Sequence, residues 1–196
     1  MKSWDVIVIG SGAAGFAAAV TACCKGLSVL MLEKAPQFGG TSAISGGAVW
    51  INDSAQARAQ NKSGSPEAMQ TYLQTIIGAE NYRPEVVDAF ITAGREALAF
   101  LEKEGAVKYS LRPLSPDYYP DEPGAVDVGR ALEVVEFDGR RLGARFRDLR
   151  SPPPGMLLFG GMMVNRVDIQ HFLDMRRSLR SFVWCSRLLL RFGRDR

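Results

Sequence analysis

A glycine-rich stretch near the start of the chain constrains the fold more than any other part of the sequence. Residues 6–9 read VIVI, a short and wholly apolar run that stops at Gly10. Such a β-branched run predicts a central strand of a parallel sheet, buried on both faces. The small-residue run FAAAV at residues 16–20 then predicts a helix. The predicted order is therefore strand, glycine turn and helix.

Three glycines in this stretch each have a separate physical role. Gly10 permits the tight turn, Gly12 lets the backbone approach a pyrophosphate, and Gly15 lets the helix pack close to the strand. The N–H groups and the dipole at the helix N-terminus favour bound phosphate. A second apolar strand over residues 29–32 ends at Glu33, whose carboxylate would accept hydrogen bonds from an adenosine ribose. Together these parts predict a dinucleotide-binding site; the alternative is a glycine-rich turn of another α/β protein.

Composition and charge are those of an ordinary globular protein. Hydrophobic residues make up 46% of the chain and charged residues 23%. The net charge of +3 is too small to indicate a nucleic-acid partner. The first strand leaves no room for a signal peptide, and no apolar run reaches the ~18 residues of a membrane span. We therefore expect a cytoplasmic protein.

The cysteines and the single histidine do not predict a metal site. Cys23, Cys24 and Cys185 lack metal-ligand spacing, and two adjacent cysteines in a helix rarely bridge each other. His171 has no cysteine or acidic partner at ligand spacing. We expect free thiols in a reducing compartment and no bound metal.

The middle of the chain combines two predicted helices with irregular segments. Residues 52–65 are polar and predict an exposed loop, whereas residues 65–77 and 83–105 each begin with a proline-containing helix start. We expect these two helices to form a hairpin lobe packed on the nucleotide-binding domain. Prolines throughout residues 109–129 predict a loop without regular structure, and residues 131–137 alternate in polarity and predict a strand.

The last part of the chain predicts one long helix over residues 165–192. Apolar side chains recur on one face, and arginines supply the charge. A basic amphipathic helix can lie on a membrane surface. The alternative, a helix packed within a domain with its arginines solvated, is favoured, and membrane contact is not expected.

A second glycine cluster follows the first, and the two clusters together resemble a known family of proteins. Residues 39–42 read GGTS and residues 45–47 read SGG, after the first motif and Glu33. This combination resembles the start of FAD-dependent oxidoreductases of the fumarate reductase and succinate dehydrogenase flavoprotein superfamily. The resemblance implies that Glu33 binds the ribose, the GGTS segment lines the pyrophosphate and ribityl chain, and the SGG segment lies beside the flavin ring. The implied FAD-binding residues are Gly10, Ser11, Gly12, Ala13, Ala14, Gly15, Glu33, Lys34, Gly39, Gly40, Thr41, Ser42, Ser45, Gly46 and Gly47.

Within that superfamily the later segments look most like the 3-oxosteroid dehydrogenase branch. The stretch SPDYYP at residues 115–120, followed by Gly129 and Arg130, is similar to a stretch that supplies an active-site tyrosine there. Tyr118 follows the Pro-Asp pair and is the matching residue. Its phenol could join a proton relay beside a flavin. The alternative is that Tyr118 and Tyr119 only pack under the proline-rich loop.

The resemblance also implies that the chain is truncated, because members of the family are more than twice as long. We expect an α/β fold, namely a partial Rossmann-like FAD-binding domain with an inserted helical lobe. Residues 1–52 would begin the FAD-binding domain, residues 53–164 would carry the hairpin, loop and short strands, and residues 165–196 the basic helix. The missing part could also be supplied by a second chain.

These observations leave three functional hypotheses. The first is the N-terminal part of an FAD-dependent dehydrogenase acting on a 3-ketosteroid or a similar flat, apolar ketone, with a separate electron acceptor. The second keeps FAD but changes the substrate to a dicarboxylate such as fumarate, which would need an arginine and histidine constellation. The third is a non-catalytic nucleotide-binding product.

Overall fold

The computed structural model describes residues 3–159 and 161–194. The chain divides into two compact units, Met1–Arg150 and Ser151–Arg196. The boundaries predicted from the sequence at residues 52 and 164 stay predictions.

The first unit begins with the predicted strand, turn and helix. Strand β1 (Val6–Ile9) pairs in parallel with β2 (Val29–Leu32), and helix α1 (Ala13–Cys24) connects them. Gly26, with a φ of 81°, follows the last turn of α1, which is the left-handed position where helices commonly stop. The three elements predicted from the first glycine motif are confirmed.

Strand β1 is less buried than its sequence predicts. Val8 is buried against α1, whereas Ile7 and Ile9 on the opposite face are 59% and 86% exposed. Side chains alternate across a strand, so a helix on one face covers every second residue only. The prediction of burial on both faces is wrong for this structure, because its parallel sheet has two strands and one covering helix.

A second, antiparallel sheet lies further along the first unit. Its strand order is β3 (Val49–Trp50), β5 (Ala131–Val134) and β4 (Tyr109–Leu111). Leu132 of the central strand packs with Leu98, Leu111 and Ala57 in a fully apolar core. Strand β4 corrects the prediction that residues 109–129 lack regular structure, because its three residues precede the first proline. Strand β5 confirms the strand predicted at residues 131–137, although it is shorter.

Three helices lie between β3 and β4 along the chain, and two of them supply Ala57 and Leu98 to this core. Helix α2 (Ala55–Ala59) lies within the segment predicted as exposed loop, and its Ala57 is fully buried, so that prediction is wrong. Helices α3 (Pro66–Ile77) and α4 (Pro84–Lys103) form the predicted hairpin. Ser65 caps α3 by accepting a hydrogen bond from the Ala68 N–H.

The second unit corrects the prediction of one long C-terminal helix. Helix α5 (Arg166–Asp174) and helix α6 (Leu179–Arg194) are separate and pack against each other. Ser178 ends the break between them, and its hydroxyl accepts a hydrogen bond from the Ser181 N–H. Serine is a favoured helix N-cap. The sequence analysis missed this cap because Ser178 lies within a continuous amphipathic pattern. No helix within the described ranges is long and apolar enough to cross a membrane.

We predict that Leu132→Ala lowers the free energy of unfolding of the first unit by about 2–5 kcal/mol, because it leaves a cavity among Leu98, Leu111 and Ala57. Urea unfolding followed by circular dichroism measures the change. Val134→Ala is the matched control, since Val134 lies on the same strand and is partly exposed. Equal losses in the two variants would contradict this assignment of the core.

Candidate functional site

The three glycines of the first loop have different structural roles, and the fold requires glycine at two of them. Gly10 has a φ of 94°, which side-chain-bearing residues rarely adopt. A Cβ on Gly15 would lie 2.0 Å from the Gly10 carbonyl oxygen, so only glycine lets α1 approach β1 this closely. Gly12 has an ordinary φ of −76°, and a Cβ there would meet no atom within 4 Å. The fold itself therefore does not require glycine at position 12.

The open space beside Gly12 is where the sequence predicts a pyrophosphate group. It lies at the N-cap of α1, where first-turn N–H groups have no acceptor within the helix. Ser42 of the second glycine cluster accepts one of these bonds, from the Ala13 N–H at 3.0 Å. Ala13 and Ala14 are exposed. Such a helix start is suited to a negatively charged ligand.

Ser11 joins the two glycine clusters. It is 1% exposed, and its hydroxyl donates a hydrogen bond to Glu33 Oε2 and accepts one from the Gly39 N–H at 2.9 Å. The Ser11 N–H also donates to Glu33 Oε2, at 2.9 Å. Three segments that are distant in sequence thus meet at one buried side chain. Sequence reasoning included Ser11 in the loop but missed this role.

Glu33 is held as a carboxylate at the end of β2. Hydrogen bonds from the Ala35 N–H, the Ser11 hydroxyl and the Ser11 N–H lower the pKa of Glu33 to about 2. An ionised carboxylate offers about four acceptor positions, so these bonds leave capacity for a further donor. Ribose binding by Glu33 stays a prediction.

The second glycine cluster folds against the first. A Cβ on Gly40 would lie 3.3 Å from the Gly12 Cα, which brings the two loops into close contact. Ser45 donates to the Ser42 carbonyl oxygen and accepts from the Gly47 N–H, so the SGG segment is tied to the GGTS segment. Lys34 and Thr41 are exposed. The structure therefore brings the predicted cofactor-binding segments together around the start of α1.

A buried ion pair forms a second polar centre in the first unit. Arg130, 1% exposed, donates to Asp117 Oδ2 at 2.6 Å, and Trp50 Nε1 donates to Asp117 Oδ1 at 2.8 Å. Burial lowers the pKa of the Arg130 guanidinium, whereas the neighbouring Asp117 carboxylate opposes that shift. The sequence analysis named these two residues only as part of the stretch that resembles the 3-oxosteroid dehydrogenase branch. Their pairing has no periodic signal, because it depends on the fold of the loop between them.

Tyr118 follows this centre directly and is 99% exposed, and Tyr119 is partly exposed as well. The alternative in which both tyrosines pack under the loop is therefore wrong for Tyr118.

Within the described ranges, no group of three or more histidine, cysteine, aspartate or glutamate side chains could hold a metal ion.

Comparison with known proteins identifies the class to which this site belongs. Residues 5–186 match the FAD binding domain family, and the chain belongs to that family. FAD is its cofactor, and the predicted partial Rossmann-like FAD-binding fold is confirmed.

Individual relatives narrow the comparison to the 3-oxosteroid dehydrogenase branch. The chain is 43% identical over 144 residues to a 3-oxosteroid 1-dehydrogenase of Mycobacterium tuberculosis, covering 74% of this chain and 25% of the relative. It is 37% identical over 187 residues to a 4-oxocyclohex-2-ene-1-carboxylate 5-dehydrogenase of Sinomonas cyclohexanicum, covering 95% and 31%.

A solved structure supports the same branch. The crystal structure of 3-ketosteroid Δ1-dehydrogenase from Sterolibacterium denitrificans in complex with 1,4-androstadiene-3,17-dione matches with a TM-score of 0.79 and 33% identity. The match covers 99% of this chain and 33% of that one. The chain therefore spans a quarter to a third of the length of these relatives.

We predict that Gly12→Val raises the dissociation constant for FAD at least about hundredfold, ~2.7 kcal/mol, because the side chain fills the space at the α1 N-cap. Flavin fluorescence titration measures binding, and circular dichroism should show an unchanged fold. Gly155→Val is the control, since a Cβ there also meets no atom within 4 Å. Unchanged flavin stoichiometry in Gly12→Val would contradict the assignment.

We predict that Glu33→Gln destabilises the protein at neutral pH and that this difference shrinks in acid. The lowered pKa of Glu33 makes its contribution complete above the ordinary value of 4.5 and lost as the pH falls through about 2. Urea unfolding of both proteins across that range measures it. Glu80→Gln removes an exposed carboxylate elsewhere in the unit and serves as control. The same pH dependence in both variants would refute the special role of Glu33.

Proposed function

We propose that this chain is the FAD-holding part of a dehydrogenase that removes a hydride and a proton from adjacent carbons of a flat, apolar cyclic ketone of the 3-ketosteroid class. The observation that carries the proposal is the meeting of the two glycine clusters and Glu33 at the buried Ser11, beside the open start of α1. The relatives named as 3-oxosteroid 1-dehydrogenases support the substrate class.

In this proposal the residues of the two glycine clusters bind and orient the cofactor. First-turn N–H groups of α1 receive the pyrophosphate, and Glu33 accepts hydrogen bonds from the ribose. Small residues at Ser45, Gly46 and Gly47 leave room for the flat ring system. When bound, FAD supplies a two-electron acceptor for the hydride. A separate electron acceptor then completes the cycle.

Tyr118 is the residue of this chain that we assign to proton movement. Its phenol is exposed, so its hydroxyl can reach a substrate docked over the loop. A phenol within hydrogen-bond distance of the substrate carbon can relay the proton, taking it up as its own hydroxyl proton passes to solvent, while the hydride leaves the neighbouring carbon. The backbone and side chains around Tyr118 would then orient this group.

A second substrate class within the same chemistry is a cyclohexanone carboxylate. The Sinomonas cyclohexanicum relative covers nearly the whole chain, and its name specifies an oxo group on a six-membered ring. Both classes place the bond to be desaturated beside a ring ketone. The dicarboxylate hypothesis has less support, because His171 already contacts Ser181 and stacks on Trp184 in the second unit.

A cytoplasmic location is also part of the proposal. It is supported by the free thiols of Cys23, Cys24 and Cys185. A steroid-class substrate and an electron acceptor are the partners that the proposal requires.

We predict that Tyr118→Phe lowers kcat of the holoenzyme by about 10²–10⁴-fold and leaves FAD affinity unchanged, because the substitution removes the proton-carrying hydroxyl alone. Turnover of a 3-ketosteroid and of 4-oxocyclohex-2-ene-1-carboxylate with an artificial electron acceptor measures the effect and ranks the two substrates. Tyr119→Phe is the matched control on the adjacent residue. Equal turnover by Tyr118→Phe and the unmodified enzyme would remove Tyr118 from the mechanism.

Flavin reconstitution separates the enzyme hypothesis from the non-catalytic one. Bound flavin that is bleached by a 3-ketosteroid under anaerobic conditions supports the proposal. A protein that takes up no flavin after reconstitution favours a non-catalytic product.

A further inference from the structure

We propose that the buried ion pair between Asp117 and Arg130 is a positioning pair, which holds the backbone on both sides of Tyr118 and so limits where its hydroxyl is presented. This inference rests on the proposed function of Tyr118. Asp117 and Arg130 act through Tyr118 and do not themselves touch substrate.

The exposure of Tyr118 makes such a device necessary. Its side chain is almost fully in solvent, so packing does not restrict its position. A catalytic group has to be held close to its productive geometry, and a displacement of 1 Å can slow a reaction strongly. The backbone of Tyr118 therefore limits the region that its hydroxyl can reach, and this backbone lies between two anchored residues.

Asp117 is the anchor on the N-terminal side. Its carboxylate accepts hydrogen bonds from three different segments, namely from Trp50 Nε1 at 2.8 Å, from Arg130 Nη1 at 2.6 Å and from the Val126 N–H at 3.0 Å. The Asp117 N–H also donates to the Val126 carbonyl oxygen at 3.0 Å. Both the side chain and the backbone of this residue are thus tied to the other arm of the loop.

Tyr119 provides the second anchor, and it leads back to the same cluster. The Tyr119 N–H donates to Tyr72 Oη at 3.2 Å. The guanidinium carbon of Arg130 lies 5.4 Å from the ring centroid of Tyr72 and 5.4 Å from that of Trp50. Arg130 therefore contacts the groups that hold the residues before and after Tyr118.

The remaining donors of Arg130 fix the guanidinium itself. Nε donates to Asn52 Oδ1 at 3.3 Å, and Nη2 donates to the Gly124 carbonyl oxygen at 2.8 Å. Gly124 can approach because it lacks a Cβ, which would lie 2.1 Å from the Ala68 carbonyl oxygen of α3. The loop is thereby attached to β3, to α3 and to the segment before β5.

Stability alone is a poor explanation of this arrangement. Replacing a buried ion pair by well-packed apolar residues is often neutral or stabilising, because desolvation of two charges is unfavourable. A fully satisfied polar cluster instead selects one geometry, since every alternative leaves a buried charge without partners. The loop that carries Tyr118 is where a single geometry would matter for the proposed reaction.

Limited proteolysis of the chain tests the local part of the inference. Chymotrypsin cleaves after tyrosine in locally unfolded segments but not before proline, so Tyr118 is a cleavage site and Tyr119, which precedes Pro120, is not. Asp117→Asn should raise the rate of cleavage after Tyr118 by about tenfold or more. Asp121→Asn removes the same charge from an exposed position of the same loop and should leave the rate unchanged. Trp50→Phe removes one donor without leaving a buried charge unpaired, and should give an intermediate rate.

Two results would overturn the inference. One is an unchanged cleavage rate at Tyr118 in both Asp117→Asn and Trp50→Phe. The other is a rate that rises equally at sites outside the loop, in proportion to a lower unfolding midpoint, because this pattern reports general destabilisation.

A double-mutant cycle in the holoenzyme tests whether the pair acts through Tyr118. Asp117→Asn should lower kcat about tenfold with little change in KM or FAD affinity, and should have no further effect on kcat when Tyr118 is already phenylalanine. Additive losses would show a structural role that is independent of the tyrosine, and would overturn the inference. If Tyr118→Phe alone leaves kcat unchanged, the proposed function fails, and the proteolysis experiment still decides whether the pair holds the loop.

Discussion

The cofactor site depends on the buried hydroxyl of Ser11. This one side chain donates to Glu33 at the end of β2 and accepts from Gly39 at the start of the second glycine cluster. A buried polar group left without a partner is unfavourable, so the loss of either bond would loosen the contact between these segments. The glycine turn, the ionised carboxylate and the GGTS segment therefore behave as one unit around the start of α1. A dinucleotide needs such a unit, because its phosphates and ribose must be bound together.

The Asp117–Arg130 centre, like Ser11, is a buried polar group that holds a loop in place, and it lies in a different part of the first unit. In both places a loop is held by a buried polar group whose partners come from distant segments. Apolar packing is tolerant of small shifts in geometry, whereas a satisfied hydrogen-bond cluster is not. The two polar centres therefore position the loops, and the helices and strands support them. The exposed apolar face of β1 is consistent with a chain that spans a quarter to a third of the length of its relatives.

The prediction of local structure succeeded where the signal was local and failed where it was not. The first strand, turn and helix follow from glycine chemistry and apolar periodicity over about thirty residues. The break before α6 was missed because Ser178 lies within an unbroken amphipathic pattern, and helix α2 was missed because five residues carry no reliable period. The burial of β1 was overestimated because its apolar composition shows only that both faces could be buried. The neighbouring strands and helices determine which face is actually covered.

The amino-acid sequence alone was sufficient for the class of protein and for the strand, turn and helix of the first glycine motif. The glycine turn, the ends of the strands and the acidic residue that follows β2 lie close together along the chain, so a local sequence pattern can reveal them. The links between distant residues were decided by tertiary structure alone: Ser11 with Glu33 and Gly39, and Asp117 with Arg130 and Trp50. Such contacts depend on where separate segments meet in space, and no spacing along the chain encodes them. For the same reason, the sequence named Tyr118 and only the fold revealed what holds it.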